Sequence, residues 1–252
     1  MSAWIMPEIK NSARGRLFCF PFAGGGASAY RNWLSESSDD LEIIAIQPPG
    51  RENRMGDRPL ESMDDIVSEA VREIMKFGDC PFSFFGHSLG ARVAFECARR
   101  LRQLNCPLPE HLFVSGSRSP EIPEPKPLHH LDDSCFVEEL KRFSGTPQVI
   151  LENRELMELF LPILRADFTV DETYCFIEAP PLPIPVTAFC GTDDEEATIE
   201  EMEGWRRHTA DSFSLHSVKG EHFFVLEAWR DVLGCIRETL SPQESFYLRD
   251  AV

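Results

Sequence analysis

"FFGHSLGAR", Phe84 to Arg92, passes from an apolar run through a glycine-flanked serine into a helical pattern. The run "FSFFG" (Phe82–Gly86) reads as a buried strand. Val93, Ala94, Cys97, Ala98 and Leu101 then fall on one stripe of a helix predicted over Leu89–Leu104. Gly86-His87-Ser88-Leu89-Gly90 is a G-x-S-x-G match between strand and helix. A turn that sharp needs small flanking residues, and it lifts the serine hydroxyl above a sheet edge.

The same alternation extends outward in both directions. Arg16–Phe20, Leu41–Ile46, His111–Gly116, Ile184–Cys190 and Phe213–Val218 read as further strands. Met63–Phe77 and Phe223–Leu240 carry helical apolar stripes. The pattern predicts an α/β fold with a mostly parallel central sheet flanked by helices. Residues 118–182 break it. They hold no convincing strand, and Pro-rich stretches stand at both ends, "SPEIPEPKPLHH" and "APPLPIP". Two helical patterns lie between, Asp132–Phe143 and Glu152–Asp167, joined by "SGTPQ". One domain over residues 1–252 with a helical lid inserted at about 118–182 is the expected organisation.

A serine hydroxyl needs a base to become a nucleophile. On a strand–turn–helix scaffold of this kind the acid and then the histidine follow the serine in the chain. His222, in "VKGEHFFVLEAW", stands between the last strand and the last helix, where such a base belongs. The other histidines fall in strands, in the Pro-rich stretch, at a helix end or within the elbow itself. Asp193 and Asp194 both follow the strand Ile184–Cys190, and either could orient the imidazole. The acidic run Glu195–Glu203 reads as a solvated helix face. An oxyanion hole needs two backbone N–H groups. One belongs to Leu89, just after the serine, and the other to Ala23 in "FPFAGGG", where glycines let backbone approach. No G-K-[ST] or G-x-G-x-x-G accompanies those glycines, which excludes a phosphate loop.

A net charge of −17 argues against nucleic acid and anionic membranes as partners. No run nears the roughly 20 apolar residues that span a bilayer, and "MSAWIMPEIKNSARG" lacks the apolar core of a signal peptide. The eight scattered cysteines form no metal or redox motif and read as reduced. A cytoplasmic monomer without metal or organic cofactor is expected.

Five stretches, "FCFPFAGGGASAYRNW", "IAIQPPGRENR", "FFGHSLGARVAFECARRL", "CGTDDEEATIEEMEGW" and "GEHFFV", resemble the type II thioesterases in order and across nearly the whole chain. These are the stand-alone editing enzymes of nonribosomal peptide, polyketide and fatty-acid synthesis. The resemblance implies an α/β-hydrolase fold and hydrolysis of acyl groups from the phosphopantetheine thiol of a carrier protein. It assigns the nucleophile to Ser88, the base to His222, the acid to Asp194 and an oxyanion amide to Ala23. Two positions depart from the family pattern: Glu221 stands where Gly is common and Glu195 where Pro is common. A general acyl-CoA hydrolase or esterase, or an acyltransferase, would use the same groups. Arg92, Arg99, Arg100, Arg102, Lys141 and Arg142 are the expected basic contacts for an acidic carrier.

Overall fold

A parallel strand flanked by helices is buried on both faces, so its residues are apolar without interruption. Leu17, Phe18, Cys19 and Phe20 are all buried, and successive side chains serve opposite faces. Phe18 and Phe20 join Phe84 in one core, while Leu17 and Cys19 join Phe85 in the other.

The computed structural model describes residues 2–7, 13–78, 80–143 and 153–241. The strands are β1 (Ile5–Met6), β2 (Arg16–Phe20), β3 (Glu42–Ile46), β4 (Phe82–His87), β5 (Leu112–Ser115), β6 (Val186–Gly191) and β7 (Phe213–Val218). They form a seven-stranded sheet in the order β1-β3-β2-β4-β5-β6-β7. All neighbours are parallel except β1, which runs antiparallel to β3 with Ile5 opposite Ile46. The six strands read from the sequence are present, with ends moved by up to two residues. β1 was not expected, because two residues are too few to show a period. This is the α/β-hydrolase arrangement.

Helices α1 (Arg31–Leu34), α2 (Met63–Ile74) and α3 (Leu89–Gln103) follow the early strands. Ala70, Val71 and Ile74 of α2 pack with Ala94 and Leu101 of α3 on one face of the sheet. The other face is covered by Trp33 of α1 and by Val232, Leu233 and Ile236 of the last helix. The helical stretch expected over Phe223–Leu240 breaks at Ala228 into short and long pieces, Phe224–Glu227 and Trp229–Leu240.

The chain leaves the sheet after Ser115 and returns at Val186. Between lie α4 (Asp133–Glu139) and α5 (Arg154–Glu172), with Asp132 and Asn153 as N-caps. Leu128, Phe136, Leu140, Met157 and Leu164 give this insertion a small core of its own. The "SGTPQ" connection and Glu152 lie outside the described residues.

Three of the four α3 arginines hold the insertion, the fourth pairs with α2, and none is left as a free charge. Arg92 donates to the carbonyls of Asp171 and Ile122 at 3.0 and 3.1 Å. Arg99 donates to the carbonyl of Ile177, and Arg102 to those of Pro180 and Pro181 at 2.7 and 2.8 Å. Arg100 pairs with Asp64, and Lys141 with Glu138. Carbonyls in an irregular chain return have no backbone partners of their own, and these guanidinium groups supply donors to them. The side chain of Arg142 lies outside the described residues.

Candidate active site

Ser88 sits between β4 and α3 with φ 55° and ψ −124°. That strained backbone projects the side chain out of the sheet. The glycines on either side are required by contact. A Cβ on Gly86 would stand 2.2 Å from the Gly90 carbonyl oxygen, and one on Gly90 the same distance from that of Phe20. The second contact brings the start of α3 against the chain that leaves β2, so Leu89 and the "FAGGG" loop are neighbours.

The loops after β6 and β7 meet in the same way. Thr192 N–H donates to the Val218 carbonyl at 2.8 Å, and Asp193 N–H to that of Gly220 at 3.0 Å. A Cβ on Gly191 would lie 2.6 Å from the Gly220 oxygen. This close approach brings Asp194 under His222. The imidazole Nδ1 lies 3.0 Å from Asp194 Oδ2, and its Nε2 lies 3.2 Å from Ser88 Oγ. Asp194 Oδ1 also accepts from the N–H groups of Glu196 and Ala197, at 2.9 and 3.1 Å. The carboxylate is thus buried yet fully partnered. Asp193 points to the surface, where its carboxylate accepts from the Thr192 hydroxyl. Asp194, not Asp193, is therefore the acid in contact with His222.

The acidic run is not simply a solvated face. Its helix begins only at Ile199, behind a Thr198–Glu201 capping box. Glu196, Glu201 and Glu124 converge on the buried Arg118. Trp205 is buried and donates to the Ser117 carbonyl at 2.7 Å. These contacts brace the loop that holds Asp194. Glu221 is exposed beside His222.

Among the described residues, neither the Ala23 nor the Leu89 backbone N–H donates within the fold. Leu89 opens α3, where the first amides have no intrahelical acceptor. Ala23 occupies a turn closed by Gly25 N–H to the Phe22 carbonyl, 2.9 Å. The Leu89 amide, next to the serine, and the Ala23 amide, in the neighbouring loop, are therefore donors without an acceptor in the fold.

Two residues to which the sequence reading gave no part stand close by. His87 is wholly buried, with Nδ1 2.9 Å from Ser115 Oγ and its ring 5.2 Å from that of His222. Burial, then the neighbouring His222, holds it well below the ordinary histidine range, so it stays neutral. Gly116, with φ 51°, makes room for that ring. Asp167 reaches in from α5 to accept the Gly24 N–H at 2.7 Å. No local signal marks either residue.

A serine, an imidazole and a buried carboxylate in sequence, with two free amides, can perform nucleophilic acyl transfer. The thioesterase-domain family model matches residues 15–240. The gramicidin S biosynthesis protein GrsT of Aneurinibacillus migulanus is 42% identical over 226 residues, covering 89% of this chain and 88% of its own length. Thioesterase PikA5 of Streptomyces venezuelae is 38% identical, covering 89% and 80%. The solved structure of YbtT, a type II thioesterase from the yersiniabactin NRPS/PKS pathway, superposes with a TM-score of 0.85 at 33% identity, covering 94% and 97%. The chain belongs to the thioesterase family of the α/β-hydrolase fold, hydrolases that act on thioesters. Within that family it is a type II thioesterase of nonribosomal peptide and polyketide biosynthesis.

Proposed function

We propose that this enzyme hydrolyses acyl groups from the phosphopantetheine thiol of a carrier protein, through an acyl-enzyme on Ser88. The observation that carries the reading is the unbroken contact from Ser88 through His222 to Asp194. His222 Nε2 takes the hydroxyl proton as Ser88 Oγ attacks the thioester carbonyl. Asp194 keeps the proton of neutral His222 on Nδ1 and stabilises the imidazolium once it forms. The amides of Ala23 and Leu89 receive the oxyanion. The intermediate collapses, the pantetheine thiol leaves with the proton from His222, and water activated by the same base releases the acid.

The chemistry calls for no metal or organic cofactor. The insertion is read as a lid over one hydrolase domain, and the enzyme as a monomer acting in the cytoplasm. No helix among the described residues is long and apolar enough to cross a membrane.

The test presents one short acyl group on a carrier protein and on coenzyme A, with Ser88→Ala as control. A kcat/KM much larger on the carrier is expected, with turnover abolished in the variant. Equal rates on both would make it a general acyl-CoA hydrolase. Near-native rates in Ser88→Ala would remove the serine mechanism.

A further inference from the structure

We propose that Asp167 is a positioning residue, oriented by Arg51, that locks the oxyanion loop to helix α5. The Ala23 amide is then held in place only while α5 is docked. The inference rests on the serine mechanism proposed above and on Ala23 as an oxyanion donor.

Three segments meet at this pair. Asp167 Oδ2 accepts from Gly24 N–H at 2.7 Å and from Arg51 Nη1 at 2.5 Å, while Oδ1 accepts from Arg51 Nη2 at 2.9 Å. Arg51 also donates to the carbonyls of Gly25 and Pro49, at 3.1 and 3.2 Å. Its guanidinium therefore spans the loops after β2 and β3 as well as α5. Both side chains are buried, 5% and 3% exposed.

The turn explains why that acceptor matters. Phe22 to Gly25 closes with an i to i+3 bond, and of its two central residues only Gly24 has positive φ, 76°. That is a type II turn. Turning the Ala23–Gly24 peptide over would point the Gly24 N–H away and swing the Ala23 carbonyl, while the Ala23 N–H lies on the preceding peptide plane and moves only if the loop as a whole leaves α5. Asp167 accepts that N–H and so selects the peptide orientation. Leu164, one turn earlier on α5, packs so closely that a Cβ on Gly24 would stand 2.7 Å from its Cδ2.

The pair has nowhere to go if it separates in place. A cavity of about 20 Å³, walled by Phe22, Leu89, Val93 and other apolar groups, lies against it. That volume admits about one water molecule. Arg51 without Asp167 would be a buried charge with two carbonyls for company. Docking of α5 and order in the oxyanion loop are therefore coupled.

A purely structural ion pair would behave differently from a positioning residue. Replacing both charges with apolar groups often leaves stability intact. The decisive comparison is Arg51→Met/Asp167→Leu against Arg51→Met/Asp167→Asn. Neither variant has a buried charge, and they differ in whether a side-chain oxygen can accept the Gly24 N–H. With a short acyl-pantetheine thioester, the Leu variant should lose about ten- to a hundredfold in kcat, as expected for a displaced oxyanion donor, with KM within about threefold. The Asn variant should recover at least tenfold of that loss at similar Tm. Equal kcat in the two would overturn the proposal. Should the Leu variant fail to fold, hydrogen exchange in the wild type decides. A Gly24 amide as protected as the centre of α5 supports the lock, and one exchanging at loop rates refutes it. Fluorophosphonate labelling of wild-type Ser88 is a separate control. Its absence would remove the serine mechanism while leaving the exchange result to judge the lock.

Discussion

Asp194→Asn separates orientation of the base from stability of the fold. Oδ1 of Asp194 is pinned by two backbone donors, the N–H groups of Glu196 and Ala197. An amide at this position must therefore keep its oxygen there. Its nitrogen takes the place of Oδ2, 3.0 Å from His222 Nδ1. An N–H now faces Nδ1, and the oxygen, 3.1 Å from the same nitrogen, is already taken by the two backbone N–H groups, so Nδ1 accepts and the imidazole proton moves to Nε2. A protonated Nε2 cannot take the proton of Ser88, 3.2 Å away. A wrong tautomer of this kind lowers kcat by about 10³- to 10⁴-fold, or about 4 to 5.5 kcal/mol in barrier. Both backbone bonds survive, so Tm should move by no more than a few degrees, about the effect of 1 kcal/mol. The assay follows thiol release from a short acyl thioester beside a thermal melt. Asp194→Ala supplies the contrast, because it removes both backbone bonds and should lower Tm as well. A kcat for Asp194→Asn within tenfold of the wild type, with an unchanged melt, would refute the orientation argument.

The elbow and the buried histidines provide two further checks. Gly90→Ala places a methyl 2.2 Å from the Phe20 carbonyl oxygen, a backbone atom that cannot step aside. It should cut Tm sharply or prevent folding, and a native melt with full activity would contradict this close packing. His111 is stacked on Phe113 and bonded to Thr187 Oγ1 at 2.8 Å, and burial lowers its pKa to about 4. In the unfolded chain the value is about 6.5, so between these limits the unfolded state binds the extra proton. Stability should be full above about pH 6.5 and decline toward pH 4, with His111→Gln flattening that decline. An unchanged slope of Tm against pH in that variant would rule His111 out as a contributor.

What was legible in the sequence was local. The strand–serine–helix passage at Ser88 depends on apolar periodicity and on two glycines within five residues, and such signals survive in a one-dimensional text. His222 was legible for a related reason, since a short loop between a strand and a helix can end only at the edge of the sheet. Local signal did not distinguish Asp193 from Asp194, because adjacent residues of one type carry the same one, and only the family resemblance singled out Asp194. Their difference arises from the loop fold, which turns Asp194 onto two amides and leaves Asp193 in solvent. The α3 arginines read as free charges, because nothing nearby in sequence shows the insertion carbonyls they serve. Arg51 and Asp167 stand 116 residues apart, yet share one bidentate contact. Hydrophobic burial imposes a period on neighbouring residues and can be read along the chain. A buried charge needs only one counter-charge, at any separation, so its partner became visible only when the tertiary fold brought α5 onto the glycine loop.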